Sequence, residues 1–270
     1  MPEGPEVKSM VIQLNKYLYG KTLNQIIIDS GRYSKKPPDN FTKFTETLPL
    51  KILEVRNKGK FIWFQFEGGW TMWNTLGMTG GWKLEKEKHS HYEFFLDQNT
   101  SLWFTDMRNF GTLKFCYDEN EFKKKLKSLG PDVLEEDFTL EIFKNIMTNK
   151  KLKDKTIPEV FMNQKHISGL GNYLKSEILY ESKISPHRSL EDLSREDLEF
   201  LYKNIKKICL ASLKAGGATI RNYSNIDNEV GNYVFEFKVY QQKKDPLGNV
   251  VKRIETKDKR TTHWVSEIQI

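Results

Sequence analysis

The chain has 270 residues, 38% of them hydrophobic, enough for one large or two ordinary domains with real cores. Lysine and arginine number 43 against 36 acidic residues, a net charge of +7 that fits a polyanionic partner, and no apolar run reaches membrane-spanning length. Two distant cysteines, Cys116 and Cys209, exclude a disulfide framework and a cysteine metal cluster, and an acidic start where a signal peptide is basic then apolar predicts an intracellular protein.

The chain opens Met1-Pro2-Glu3-Gly4-Pro5-Glu6. Removal of Met1 leaves Pro2 as the terminus with the Glu3 carboxylate beside it. An α-amine titrates at about 7.7–8, against roughly 10.4 for lysine, so part of it is unprotonated and nucleophilic at neutral pH. Proline is a secondary amine, and its condensation with an aldehyde-like carbon gives an iminium that keeps its charge without a proton; Glu3 would then shuttle protons. The plainer reading is that Pro and Gly keep a frayed end out of helix. Val7, Val11, Leu14 and Leu18, with Met10 and Tyr17 beside them, predict an amphipathic helix that follows at once and pins the terminus.

Short β-branched or aromatic runs at 22–29, 51–56, 60–66, 70–73, 91–96, 101–105 and 111–116 predict strands of a sandwich or barrel. The polar 31–40 loop, with Pro37-Pro38, reads as mobile. Beyond Asn120 the period becomes helical, with helices expected over 121–128, 140–147, 157–164, 172–182 and 195–214 and a linker at Ser128-Leu129-Gly130-Pro131-Asp132. Ser194-Arg195-Glu196-Asp197 is a capping box. From Tyr233 the pattern returns to strands. The expected domains are 1–130, 131–232 and 233–270.

Between two helices lies His166-Ile167-Ser168-Gly169-Leu170-Gly171-Asn172-Tyr173-Leu174. The third glycine of a dinucleotide fingerprint is absent and no strand precedes the turn, so that reading is discarded. A helix starting at Asn172 would present its N–H groups to an anion such as a nucleic-acid phosphate; an ordinary helical hairpin with a glycine turn is the alternative. His89 and His91 alternate onto one face of a strand, but two imidazoles without a third ligand predict no metal.

Seven landmarks stand in order: Pro2-Glu3-Gly4-Pro5-Glu6; Gly59-Lys60, read as lying on a strand; Leu76-Gly77-Met78-Thr79-Gly80; Asp106-Met107-Arg108-Asn109-Phe110-Gly111; Ser168 to Tyr173 with Glu177; Gly216-Gly217-Ala218-Thr219-Ile220-Arg221; and Lys259-Arg260-Thr261-Thr262 with Gln269. Together they resemble the Fpg/Nei DNA glycosylases over nearly the whole chain, and the PEGPE start looks like the endonuclease VIII (Nei-like) branch. The resemblance implies an α+β fold: an N-terminal helix with a β-sandwich domain, a helical helix–two-turn–helix domain, and a C-terminal finger hairpin, with DNA between the domains. It implies a base-excision-repair glycosylase for oxidised bases, pyrimidines foremost, with β,δ-elimination at abasic sites.

The same resemblance carries roles to individual residues. Flipping a damaged base exposes C1′ of its sugar. Pro2 would attack that carbon, Glu3 would protonate the ring oxygen, and Glu6 would support the site. Lys60 and Arg260 would hold the flanking phosphates and take part in the eliminations, with Asn172 and Lys155 on the same backbone. Met78, Arg108 and Phe110 match the residues that fill the vacated stack; core is the alternative for Met78 and Phe110, but their turn-flanked loops between strands favour the wedge. Thr75 stands where many members have a phosphate-contacting His, and Asn163 where Asp is common.

The tail departs most. Where members often carry two CxxC pairs, this chain aligns Leu247, Val250, Val265 and Ile268, none of which binds zinc. The expectation is a zincless finger in which these four apolar groups meet, with no cofactor and no metal. The partners expected are damaged DNA, double- or single-stranded, and no membrane, with the protein a monomer located wherever the genome is. A binding-only relative, or a helix-turn-helix or RNA-binding regulator, would share the charge and the helical hairpin but would not require Pro2, Glu3 and Lys60. Lesion preference would depend on the loop over 223–231.

Overall fold

The computed structural model describes residues 1–217 and 236–270. Expectations that fall between them, the 218–221 part of the glycine motif, the 223–231 loop and the strand start at 233, lie outside the described residues. The chain divides into two compact units: Met1–Pro2 with Glu6–Lys127, and Glu3–Pro5 with 128–217 and 236–270. No helix among the described residues is long and apolar enough to cross a membrane.

In the first unit, α1 (Gly4–Leu18) buries Val7, Met10, Val11, Leu14 and Leu18, the stripe that the spacing predicts. Eight antiparallel strands follow: β1 (Thr22–Ile28), β2 (Leu50–Lys58), β3 (Phe61–Phe66), β4 (Thr71–Thr75), β5 (Gly80–Lys83), β6 (Ser90–Leu96), β7 (Ser101–Asp106) and β8 (Thr112–Cys116). Their order is β5-β7-β6-β1-β2-β3-β4-β8. The ladder narrows at β1–β2, where only Thr22↔Lys51 and Leu23↔Leu50 pair, and there the sheet turns back on itself. Phe64 on β3 consequently sits 5.2 Å from Trp82 on β5 and 6.5 Å from Phe94 on β6, across the core from its own half of the ladder. Two four-stranded layers thus enclose one core, a sandwich with α1 packed on it.

A short helix, α2 (Phe41–Thr45), and strand β5 are additions to the sequence reading. The 31–40 loop, expected to be mobile, is fastened: the Tyr33 hydroxyl donates to Leu113 O (3.0 Å) and accepts from Leu113 N (3.1 Å). The unit ends with α3 (Glu119–Lys127).

The second unit holds α4 (Leu140–Met147), α5 (Ile157–Met162), α6 (Asn172–Glu181) and α7 (Arg195–Lys214), then the hairpin β9 (Lys252–Glu255) and β10 (Thr261–Trp264). The capping box at α7 forms, with Asp197 N donating to Ser194 Oγ (3.1 Å) and Ser194 N to Asp197 Oδ2 (2.9 Å). The two turns between α5 and α6 are stapled by Gln164, whose side chain donates to Leu170 O (2.9 Å) and accepts from Gly169 N (3.0 Å). Burial of every residue from Tyr173 to Tyr180 makes α6 the axis of this unit.

Candidate active site

Glu3 is 2% exposed, and its carboxylate takes the N–H groups of Tyr173 (2.9 Å) and Leu174 (3.2 Å). Those donors belong to the first turn of α6, where orphan N–H groups and the helix dipole favour an anion. The sequence reading weighed a phosphate there against an ordinary helical hairpin; in the structure the Glu3 carboxylate takes these two N–H groups. Gly4 N donates to Gly169 O at 2.8 Å. A Cβ on Gly4 would stand 3.0 Å from both Gly169 Cα and Gly169 O, so this backbone contact needs glycine. Pro2 and Glu6 are buried, Glu6 in the first turn of α1.

Asn172 begins α6 and donates from Nδ2 to Thr261 O (2.9 Å), while its Oδ1 is buried with no partner among the described residues. One turn on, Lys175 is fully buried and pairs with Asp258 at 2.7 Å; the two side chains are 0% and 2% exposed. Burial pulls the Lys175 ammonium below its ordinary pKa, against the upward pull of Asp258 and Glu3. Asp258 belongs to the turn between β9 and β10, closed by Thr256 N to Arg260 O (3.1 Å) and Lys259 N to Thr256 O (2.8 Å). Arg260 leaves that turn exposed, and Lys175 holds the turn through Asp258. Lys155, exposed and paired with Glu159 (2.9 Å), lines a pocket of about 440 Å³ together with Asn163, His166, Lys257 and Asp258.

The rest of the tail hangs on α6 as well. Glu177 accepts from Lys238 N (3.0 Å), Val239 N (3.0 Å) and Tyr240 N (2.7 Å), and burial raises its pKa in spite of these donors. The four-residue apolar finger is half corrected. Val265 is buried and Ile268 packs beside it, but Leu247 is 76% and Val250 58% exposed. Tyr180, Val239 and Val251 complete the cluster instead. The reason is the turn after Asp245, whose carboxylate takes Leu247 N (3.0 Å) and Asn249 N (2.8 Å) and turns Leu247 outward; alternation then puts Val251, not Val250, inside.

His263 on β10 is 6% exposed, with Tyr240 4.9 Å away between ring centroids. Burial first, then Arg253 and Lys175, lowers its pKa to about 4. Folding therefore holds it neutral, so its contribution is full above the unfolded value near 6.5 and is lost as pH falls from there through about 4. By pH 4 the loss amounts to about 3 kcal/mol. Urea unfolding midpoints measured from pH 7 to 4 are expected to fall more steeply in the wild type than in His263→Gln.

In the first unit, Gly59-Lys60 is not on a strand: it forms the two-residue turn between β2 and β3, closed by the Lys58↔Phe61 pair, and Lys60 is half-buried. Met78 and Phe110 are 38% and 52% exposed, so neither is core. The Arg108 guanidinium lies 5.0 Å from the Phe110 ring centroid. Thr75 spends its hydroxyl on Thr112 (2.6 Å). His91, weighed as a metal ligand, bonds Ser30 Oγ (2.8 Å) and Asp106 O (2.9 Å), and no group of three candidate ligands occurs among the described residues.

The chain matches models of the formamidopyrimidine-DNA glycosylase N-terminal domain over residues 1–113, H2TH domain over 129–224 and C-terminal domain over 225–270. Formamidopyrimidine-DNA glycosylase of Listeria monocytogenes is 32% identical over 280 aligned positions spanning 100% of both chains. The chain belongs to this family. The enzyme of Mycoplasma mobile is 32% identical over 92% of this chain and 91% of its own. Among solved structures, MutM (Fpg) of Thermus thermophilus superposes with a TM-score of 0.85 at 28% identity, over 99% and 98% of the two chains. A Lactococcus lactis Fpg variant bound to Fapy-dG-containing DNA gives 0.86 at 26% identity, over 99% of each chain. These relatives share the helix–two-turn–helix domain and hairpin that the sequence reading expected; they do not separate the Fpg from the Nei-like branch.

Within the second unit Glu3, Asn172 and the Arg260 turn all attach to the first turns of α6. Pro2, Glu6, Lys60, Met78, Arg108 and Phe110 belong to the first. Sequence reasoning missed Lys175 and Gln164, and it quoted Asp106 in a motif without giving it a role. A lysine inside an otherwise apolar helix was the available signal for the first, while the other two act through contacts that no spacing rule contains.

Proposed function

We propose that this chain, a DNA glycosylase and abasic-site lyase by family, excises oxidised bases and cleaves the strand through Pro2. With Met1 removed, the Pro2 amine attacks C1′ of an everted nucleotide, the base departs, and the opened sugar is held as an iminium. Glu3 protonates the ring oxygen, and Glu6 supports the pair. The iminium acidifies the 2′ hydrogens, so phosphate leaves first from the 3′ and then from the 5′ side. Lys60 and Arg260 hold those phosphates, Asn172 and Lys155 the same backbone, and Met78, Arg108 and Phe110 fill the vacated stack.

The observation that carries this reading is the fastening of the chain start: Glu3 on two α6 N–H groups and Gly4 on Gly169 O make Pro2 the neighbour of fixed groups rather than a frayed end. No zinc is assigned to the finger, whose residues 236–270 contain no cysteine. Borohydride added to the protein and abasic DNA is therefore expected to give a stable cross-link, with or without a strong chelator, and none when Met1 is retained or a tag precedes Pro2. A cross-link that survives the blocked terminus moves the nucleophile to a lysine.

Two lesion classes compete. The PEGPE start favours oxidised pyrimidines, the preference we propose; the relatives' name favours formamidopyrimidines. Single-turnover rates on both lesions in the same duplex decide between them.

A further inference from the structure

Two loops carry the three residues assigned above to filling the vacated stack, and one small polar network locks them together. Met78 lies in the turn between β4 and β5, and Arg108 and Phe110 lie between β7 and β8. Asp106, at the end of β7, is 1% exposed. Its Oδ2 accepts from Gly111 N (2.6 Å) and its Oδ1 from the Thr79 hydroxyl. The Thr79 oxygen in turn accepts from Arg108 N at 2.9 Å. A single carboxylate thus spans its own loop and reaches the neighbour of Met78, which reaches back to the backbone of Arg108.

The loops also touch through their backbones. A Cβ on Gly77 would stand 2.8 Å from both Phe110 C and Gly111 N, so a side chain there would force the loops apart. Asn109 completes the turn with φ 56°, which its short side chain tolerates, and its Oδ1 takes Arg32 N at 3.1 Å. His91 closes the far side on Asp106 O.

We infer that Asp106 and Thr79 are positioning residues that make Met78, Arg108 and Phe110 one rigid wedge, so that eversion of a paired base meets a preassembled filler. This inference rests on the void-filling reading of those three side chains. If the loops moved independently, each wedge residue would have to be ordered at the moment the base leaves, and misplacement by about 1 Å costs up to roughly 100-fold in rate.

A lesion in single-stranded DNA leaves no hole opposite an orphaned base, so the coupling matters only in a duplex. Single-turnover base removal is measured on one lesion in both contexts for Thr79→Val, Thr79→Ser and Asp106→Asn. The duplex rate is expected to fall on the order of 10–100-fold in Thr79→Val and Asp106→Asn, with the single-strand rate unchanged and Thr79→Ser restoring the duplex rate. Parallel loss on both substrates, or no loss on either, overturns the inference, and Thr79→Val provides the test where Asp106→Asn does not fold. Met78→Ala and Phe110→Ala run alongside. If they leave the duplex-to-single-strand ratio unchanged, the void-filling reading itself fails; if they shift it while Thr79→Val does not, only the coupling fails.

Discussion

Glu3→Gln is expected to lower base removal on the order of 10²–10⁴-fold, the range for loss of a positioned proton donor, while cleavage of a preformed abasic site persists. The asymmetry follows from the chemistry. Departure of a base needs the ring oxygen protonated, whereas an abasic sugar is already open and requires only the Pro2 amine. Glutamine keeps an oxygen for one of the two N–H groups from Tyr173 and Leu174 and leaves the other facing an amide, so a stability loss of about 1–3 kcal/mol is expected beside the kinetic effect. Gel assays on a lesion duplex and on an abasic duplex, with the melting temperature as control, measure all three quantities. Equal loss on both substrates would remove Glu3 from the proton-transfer role.

The second large effect is expected at Lys175. Replacing it with methionine leaves the Asp258 carboxylate buried without its counter-ion, and breaking a buried pair from one side costs about 3–5 kcal/mol. For a domain of this size that corresponds to a fall of about 10 °C in melting temperature. Strand cleavage is expected to fall with it, because the turn that presents Arg260 loses its anchor. Lys175→Met combined with Asp258→Leu restores stability, since an apolar replacement of both partners is often neutral. Arg260→Ala serves as the reference: cleavage falls while the melting temperature stays. A single Lys175→Met variant as stable as the wild type would show that the pair carries no weight.

The elements with strong local signals were legible. The Val7–Val11–Leu14–Leu18 spacing fixes α1, and the Ser194–Asp197 box and the 195–214 pattern reproduce α7 residue for residue. Strand β5 was not legible: Gly80-Gly81 has the composition of a turn, and only pairing with β7 makes a strand of it. Lys60 was placed on a strand because the aromatic run begins beside it, whereas the Lys58↔Phe61 register sets it in the turn. Aligning Leu247 and Val250 with metal-ligand positions said nothing about the direction of their side chains, which Asp245 decides. At the site, motif order named the chemistry-bearing residues but not their supports. The bond from Tyr173 N to Glu3 joins residues 170 apart in sequence, and Lys175 meets Asp258 across 83, separations at which periodicity carries no information.

The cluster of Tyr180, Val239, Val251, Val265 and Ile268 has a consequence for the conditions under which such an enzyme works. A hairpin held by thiolates is open to peroxide, which oxidises the sulfurs and releases the ion. Methyl groups offer peroxide no comparable target. The hairpin packed on this cluster is therefore expected to keep its shape on exposure to peroxide. Its vulnerability is displaced to cold, where burial of apolar surface stabilises least.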